Sequence, residues 1–408
     1  MGADQKTSVW TPLKNPLFRD LWIGAIFSSI ATWIHNVAAA WLMLMLTTSP
    51  LMVGLLNAAA SFPYLILSLP AGALADMADR RRLLLFTHGW MLAVAALLGS
   101  LTILVGMTAW GLLTFTLLLG LGSALNLPAW EAIDSEILPL SEIPKSAALD
   151  NVALNLTLAV GPALGGLIVA KAGAGVAFLI NAISFLGIIV VLFRWRRVPA
   201  PSAITEEGLI SEIIKGIRHV WQAPGFVSLL VRTGLFAFGS SGLWTLLPCV
   251  WRLEIYGGPL GYGILLGCLG AGAVVAAIIL PWAKVRISFE SIAIGSTVLF
   301  AVATLILAFV RQMPILFLGM VVGGFGWSAL MASLTSSDYS TTPSWVLARV
   351  LPMYLLVLSG ASSIGSALWG AIANYWSLPH ALGFSAMTLI LSIPAGRRYP
   401  LQSPKAPG

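Results

Sequence analysis

The sequence predicts an all-α membrane protein with twelve transmembrane helices in two parallel, pseudo-symmetric six-helix bundles. Three observations lead to this fold class: the composition, the spacing of the apolar runs, and the placement of Lys and Arg. Hydrophobic residues make up 58% of the 408 residues and charged residues only 9%, whereas a soluble domain carries about 25% charged residues. The surface of this chain must therefore largely face lipid.

Apolar runs of spanning length recur along the whole chain. A helix of about twenty residues crosses the roughly 30 Å hydrocarbon layer, and each run meets or nearly meets that length. The first six runs cover about 20–46, 51–75, 83–105, 110–130, 150–170 and 174–194. The second six cover about 226–250, 259–282, 289–310, 314–336, 350–373 and 378–395, the last interrupted by Pro394.

The basic residues predict the orientation of these spans. If the N-terminus is cytoplasmic, the cytoplasmic segments hold 18 of the 22 Lys and Arg residues and the outer loops hold only Lys171, Arg252 and Arg311. Such an excess in short loops is typical of the cytoplasmic side. We therefore expect an inner-membrane protein with both termini in the cytoplasm. Because the basic residues form short clusters between apolar runs, no nucleic-acid-binding face is predicted.

A polar interval divides the chain into an N-terminal bundle (1–194), a cytoplasmic linker (195–225) and a C-terminal bundle (226–408). Within the linker, apolar residues from Leu209 to Trp221 recur at helical spacing opposite charged residues such as Glu207 and Lys215. This pattern predicts an amphipathic helix on the membrane surface. A tether between the halves is favoured over a regulatory element.

Short segments repeat between the two halves. SPLMVG at 49–54 precedes span two, and GPLGYG at 258–263 precedes span eight. GPALGG at 161–166 in span five similarly matches GSALWG at 365–370 in span eleven. The two pairs have nearly the same offset, which indicates parallel six-helix repeats related by an axis along the membrane normal.

The end of span two carries the first motif with mechanistic content, GALADMADRRR at 72–82. A carboxylate at a helix C-terminus is unfavourable with respect to its own helix dipole, so Asp76 is expected to serve another element. The motif resembles the signature of the major facilitator superfamily between helices two and three. That resemblance implies a conformational latch made by Asp76 and Arg80, with Arg349 before span eleven as a partner. The corresponding turn of the second half, WAKVR at 282–286, lacks the acid, so the latch is expected on one side only.

Span five contains Gly161, Pro162, Gly165 and Gly166 at a spacing that favours close helix approach and a bend. Such a pattern also serves simple packing in a helical bundle. It resembles the superfamily motif typical of exporters that run as proton antiporters, with Thr157 in place of the Gly expected at its start. We expect these four residues to form a hinge or a packed interface.

A narrower resemblance covers most of the chain. The segments 33–42 (WIHNVAAAWL), 127–130 (LPAW) and 343–350 (PSWVLARV) are similar to the enterobactin-exporter-like branch known as transmembrane secretion effectors. Leu158 and Leu347 stand where members of that branch usually carry Arg. The resemblance therefore does not carry a preference for anionic substrates over to this chain.

Polar residues inside spans are the candidates for the transport cavity, because they are costly in lipid and usually face protein or water. None of the fifteen acidic residues falls in the middle of a span. The deep candidates are therefore His35 and Asn36, and the shallower ones are Asn57, His88, Asn126, Asn155, Asn181 and Arg232. His35 lies near mid-membrane and could carry a proton or hydrogen-bond between helices. Arg232 is more often a cation that reaches the cytoplasmic surface than a ligand for an anionic substrate.

These features predict a secondary transporter that exports a small amphipathic compound, such as a siderophore, drug or metabolite, by alternating access. The proton gradient is the expected energy source, and the bilayer and the small molecule are the expected partners. A lipid or lysolipid flippase and a non-transporting membrane sensor remain alternatives. The sequence has no P-loop, metal-ligand cluster or nucleophile elbow, so neither an enzyme nor a cofactor or metal is expected.

Overall fold

The computed structural model describes residues 8–195, 224–339 and 344–397, and within them all side chains except those at 76, 224, 335–351 and 397. Eleven helices in these ranges are long and apolar enough to cross a membrane. One of them, Ile143–Arg194, is broken at Gly173, whose φ of 83° is non-helical. Dividing this helix there yields twelve spanning helices. The amphipathic helix predicted at the linker lies outside the described residues.

The helices follow the apolar runs in order. The first six are α1 (Pro16–Leu46), α2 (Pro50–Met77), α3 (Arg80–Leu104), α4 (Ala109–Glu131), α5 (143–172) and α6 (174–194). The second six are α7 (Pro224–Cys249), α8 (Pro259–Arg286), α9 (Phe289–Phe309), α10 (Met313–Tyr339), α11 (Ser344–Tyr375) and α12 (Leu378–Arg397). A short helix, Asp134–Ile137, connects α4 to α5.

Local sequence sets where these helices begin. Proline occupies the first turn of α1, α2, α5 and α8, where its missing N–H leaves no donor unpaired. Asn15, Asp79 and Ser288 cap α1, α3 and α9 by accepting hydrogen bonds from backbone N–H groups of the first turn. Helices α5 and α11 start several residues before their apolar runs, because backbone hydrogen bonding continues beyond the segment that lipid requires to be apolar. Helix α12 continues through Pro394.

The same packing pattern occurs in both bundles. In the first bundle, α1 packs against α5 and α6, α2 against α4, and α3 against α4 and α6. In the second bundle, α7 packs against α11 and α12, α8 against α10, and α9 against α10 and α12. Each pair of the second bundle is thus the pair of the first bundle shifted by six helices, as expected for two parallel repeats.

Two helix pairs, α2 with α11 and α5 with α8, join the bundles. At the first pair, a Cβ added to Gly54 would lie 3.1 Å from the Cα of Gly370. At the second, a Cβ added to Gly166 would lie 3.1 Å from the Cα of Gly263. The segments that repeat in the sequence are therefore those that meet across the interface, and their glycines let the backbones touch.

The bundle has two distinct ends. We call the end where α1 begins and Arg80, Arg81 and Arg82 lie the basic end, and the opposite one the far end. Both glycine contacts lie toward the far end, where Ser49 Oγ also donates to Asn374 Oδ1 at 2.7 Å. Nearer the basic end, a Cβ on Gly72 would make only ordinary contact, at 3.6 Å, with Pro352 Cγ. Nearer the middle of the interface, a Cβ on Gly270 of α8 would collide with the backbone of Ala159 in α5. The close backbone contacts between the bundles thus extend from the far end to the middle of the interface.

Candidate functional site

A cavity of about 450 Å³ lies inside the first bundle. Helices α1, α2, α3, α4 and α6 line it, and Ser359 of α11 contributes from the second bundle. The lining positions run from the middle of these helices toward the basic end. The volume falls within the range of pockets that bind drug-sized molecules.

Helix α1 supplies a polar stripe to this cavity. Ser28, Ser29, Thr32, His35 and Asn36 all line it. Their spacing of three to four residues places them on one face of the helix. The opposite faces of α1 pack against protein, with Ile34, Val37 and Met43 fully or almost fully buried.

The other helices add further neutral polar groups. Helix α2 contributes Ser61 and Tyr64, α4 contributes Ser123 and Asn126, and α6 contributes Asn181. Trp130 and Phe185 add aromatic surface. Among the described residues that line the cavity, none is Asp, Glu, Lys or Arg. The cavity is therefore polar without carrying a fixed charge.

Two buried polar atoms of the cavity have no hydrogen-bond partner among the described residues. His35 is 5% exposed and Asn181 is 2% exposed, and His35 Nδ1 and Asn181 Oδ1 are both unpaired. The His35 ring packs on Phe178 with 4.8 Å between ring centroids, one helical turn from Asn181 on α6. A buried polar atom without a hydrogen-bond partner lowers the stability of a protein by about 1–3 kcal/mol. Such atoms are rare in folded proteins, so two of them in one cavity are unusual.

The second histidine of the cavity is held differently. His88 Nδ1 lies 2.9 Å from the carbonyl oxygen of Leu84 in its own helix. Because that oxygen can only accept, Nδ1 carries the proton and the neutral ring keeps Nε2 as an acceptor. The side chain packs between Trp130 and Phe185, at centroid distances of 5.9 and 6.0 Å.

Not every predicted cavity residue lines the cavity. His35 and Asn36 do, whereas the Asn57 amide donates to Val53 O at 3.2 Å and the Asn155 amide to Asn151 O at 2.8 Å, each within its own helix. Neither is among the lining residues. A side-chain amide can donate a hydrogen bond to a backbone carbonyl of its own helix and does not need a cavity. The position of these asparagines within their helices therefore did not distinguish them from Asn36.

Arg232 does not line this cavity but borders a much smaller one, of about 30 Å³, in the second bundle. Its Nη2 donates to both carboxylate oxygens of Glu290 in α9, at 2.9 and 2.8 Å, and to Gly396 O in α12 at 2.5 Å. The guanidinium does reach toward the basic end, but an ion pair holds it there and its side chain is only 10% exposed. A carboxylate and a backbone carbonyl at a helix C-terminus both accept hydrogen bonds from a guanidinium, and together they stabilise its charge inside a bundle.

The glycines of α5 lie between two helices. A Cβ on Gly161 would lie 2.6 Å from Trp33 Cβ, and one on Gly165 would lie 3.0 Å from Ile34 Cα, both in α1. A Cβ on Gly166 would lie 2.5 Å from Pro259 O, at the start of α8. This motif therefore sits where α5 touches both its own bundle and the other one.

The predicted latch is only partly visible. The side chains of Asp76 and Arg349 lie outside the described part of the chain. Arg80 Nη1 donates to Glu136 Oε1 at 2.9 Å, and its Nε donates to Ala75 O at 3.2 Å. Glu136 is a partner that sequence reasoning missed, because it lies 56 positions away on the short helix after α4.

The hydroxyl groups of the cavity were not predicted from the sequence. A signal was present on α1, where Ser28, Thr32, His35 and Asn36 follow helical spacing within an apolar run. On α2 and α4 the cavity hydroxyls are fewer, and that of Thr116 also bonds to Leu112 O in its own helix. There the sequence carries no comparable pattern.

Relatives of known activity cover nearly the whole chain. The multidrug efflux pump Tap of Mycolicibacterium fortuitum is 27% identical, and the match covers 94% of this chain and 93% of that protein. The Staphyloferrin A transporter of Staphylococcus aureus is 24% identical, with 88% of this chain and 90% of that protein covered. These relatives are transporters rather than enzymes.

Solved transporters share the fold. A bacterial homologue of the human lysosomal transporter Spinster, in an inward-facing and occupied conformation, superposes with a TM-score of 0.76 at 13% identity, covering 97% of this chain and 99% of that one. The nucleoside transporter NupG superposes with a TM-score of 0.71 at 11% identity, covering 94% and 100%. Residues 7–407 match the family described as "Transmembrane secretion effector". The chain therefore belongs to the transmembrane secretion effector family of major facilitator superfamily transporters.

Proposed function

We propose that this protein is a proton-coupled exporter of a small amphipathic compound, and that it works by alternating access. The observation that carries the proposal is the polar cavity of the first bundle, which extends toward the basic end while close glycine contacts join the bundles at the far end. A cavity that extends toward one end, between bundles that are in close contact at the other end, is what one state of an alternating-access transporter requires.

The direction of transport follows from the orientation that we propose. The concentration of Lys and Arg at the basic end favours placing that end in the cytoplasm. The cavity would then load from the cytoplasm, as export requires. The family and the efflux activity named for its relatives agree with this direction.

The lining of the cavity supports an amphipathic cargo. Hydroxyl and amide groups on α1, α2, α4 and α6 can accept and donate hydrogen bonds, while Trp130, Phe185 and Met91 offer apolar surface. A drug, siderophore or other metabolite with both kinds of surface fits this description. His35 is the residue that we propose for proton coupling, since it is buried in the cavity and can exchange a proton.

Inside-out membrane vesicles containing the protein provide the test. An acid-inside pH gradient should drive accumulation of uncharged fluorescent compounds such as Nile red, and a protonophore should abolish that accumulation. Vesicles without the protein measure passive entry. Accumulation that a protonophore leaves unchanged would contradict proton coupling, and a lack of transport across a broad panel of compounds would contradict the exporter function itself.

A further inference from the structure

We infer that His35 and Asn181 form a hydrogen-bonding subsite for an uncharged polar group of the cargo, such as a hydroxyl or an amide. The inference rests on the proposed function, because it specifies which chemistry the cavity would select. It concerns the head group that is bound rather than the energy source of transport.

The first support is the pair of unpaired atoms. His35 Nδ1 on α1 and Asn181 Oδ1 on α6 are buried and lack partners in the described structure. Two other polar residues of the same cavity are paired: Asn126 Oδ1 accepts a hydrogen bond from the Thr87 hydroxyl at 2.8 Å, and His88 Nδ1 is bonded to Leu84 O. Buried polar atoms are paired in the great majority of cases, so this pair marks a position suited to a hydrogen-bonding ligand.

The second support is the geometry that holds the pair in place. Phe178 packs on the His35 imidazole and precedes Asn181 by one turn on α6, so both polar groups belong to the contact between α1 and α6. Asn181 Oδ1 can only accept a hydrogen bond, whereas His35 Nδ1 can accept or donate according to its tautomer. A ligand must therefore offer a donor, as hydroxyl and amide groups do.

The third support is the charge of the surroundings. No described lining residue carries a carboxylate, an ammonium or a guanidinium group. An ion that enters this cavity loses hydration without gaining a counter-charge, which strongly disfavours it. The lining should therefore prefer an uncharged head group over an ion of the same size, while Trp130 and Phe185 contact an apolar remainder.

Three probes that differ only in the head group test the inference: 2-naphthalenemethanol, 2-naphthoate and (2-naphthylmethyl)trimethylammonium. Binding to the purified full-length protein in detergent is measured by calorimetry at neutral pH. We expect the alcohol to bind at least tenfold more tightly than either ion. Asn181→Leu should weaken alcohol binding by about tenfold, as expected for the loss of one buried hydrogen bond. Asn155→Leu is the matched control and should bind as the wild type does.

Thermal unfolding without ligand separates a binding role from a structural one. Because Asn181 Oδ1 has no partner, Asn181→Leu should keep or raise the melting temperature, whereas loss of a structural hydrogen bond would lower it. Asn181→Ala provides a second variant if the Leu side chain does not fit.

Several results would overturn the inference. The wild type could fail to bind the alcohol, or it could bind the ions as tightly as the alcohol. Alcohol affinity could also stay unchanged in both Asn181 variants, which would mean that Asn181 Oδ1 accepts hydrogen bonds only from water. A different result would contradict the proposed function. If the alcohol binds through Asn181 and no compound is transported in vesicles, the subsite stands and the exporter proposal does not.

Discussion

Gly166 of α5 and Gly263 of α8 face each other backbone to backbone. A Cβ on either residue would lie within about 3.1 Å of the Cα of the other. Gly54 of α2 and Gly370 of α11 make the equivalent contact on the other side of the pseudo-symmetry axis. The far-end closure thus depends on two positions in each bundle where only hydrogen fits.

We expect Gly263→Ala to reduce transport severalfold. The added methyl group collides with the α5 backbone, which cannot rotate away as a side chain could, and overpacking of this kind costs about 1–3 kcal/mol. Transport is measured in vesicles at matched protein levels. Gly295→Ala on α9 is the control, because a Cβ there meets nothing within 4 Å. Wild-type transport by Gly263→Ala would show that the far-end contact can open without loss of function.

Within α5, Gly161→Leu and Gly165→Leu should reduce transport more than expression. Both substitutions push α5 away from Trp33 and Ile34 of α1, so they disturb the helix that carries the polar stripe of the cavity. Gly187→Leu on α6 serves as the control, since no atom lies within 4 Å of a Cβ at that position. Normal transport by both α5 variants would mean that this contact is not part of the transport cycle.

At the basic end, Asp76→Ala should reduce transport sharply while membrane insertion stays intact. Glu136→Gln should act in the same direction, because it removes the charge that holds Arg80 at 2.9 Å. Asp20→Asn is a suitable control, since the Arg19–Asp20 pair is half exposed on both side chains and such pairs contribute little. If a well-expressed Asp76→Ala protein transports at the wild-type rate, the latch hypothesis is wrong.

Arg232→Ala should destabilise the second bundle. The substitution removes the Arg232 guanidinium from Glu290 and from Gly396 O at the end of α12. Losing one partner of a fully buried pair costs about 3–5 kcal/mol, and because Glu290 is 28% exposed we expect about 1–3 kcal/mol here.

A double-mutant cycle checks the Arg232 prediction. Melting temperatures are compared for Arg232→Ala, Glu290→Gln and the double variant, and the double variant should be less destabilised than the sum of the two. Strict additivity would indicate that the two residues do not stabilise one another. Transport of a neutral cargo by Arg232→Ala, corrected for folded protein, should be retained, because Arg232 does not line the cavity.

The fold was readable from the sequence because lipid imposes a simple rule. Every spanning segment must be apolar and helical, so twelve apolar runs predict twelve helices, and the break at Gly173 falls between the fifth and sixth predicted runs. The repeats of Gly54 with Gly263 and of Gly166 with Gly370 were also visible. What the sequence could not show is which repeat element contacts which, because that depends on tertiary packing.

The candidate site was less predictable for a physical reason. A polar residue in a span can bond its own helix, as Asn57 and Asn155 do, or face a cavity, as His35 and Asn36 do. In both arrangements the polar group avoids direct contact with lipid, so the sequence alone does not distinguish them. Arg232 similarly looked like a cation near a membrane surface, and only the structure reveals Glu290 as its partner, because the two lie 58 positions apart.

The role of His35 in coupling is the most demanding prediction. Proton antiport requires a group that takes up a proton from one side and releases it to the other, and within the described residues the cavity lining contains no carboxylate. His35 is buried there with Nδ1 unpaired, while His88 Nδ1 is bonded to Leu84 O. His35→Gln keeps hydrogen bonding but removes titration. It should abolish pH-gradient-driven export and leave cargo binding measurable.

Two assays with the His35→Gln protein separate coupling from binding. Cargo accumulation in inside-out vesicles is measured with and without the pH gradient, and binding to the purified protein is measured by calorimetry. His88→Gln is the control, because a side chain that already serves its own helix should tolerate the change with smaller effect on coupling. Should the His35→Gln protein still concentrate cargo against a gradient, His35 is only a hydrogen-bonding residue between α1 and α6. Coupling would then have to reside in the carboxylates near the basic end.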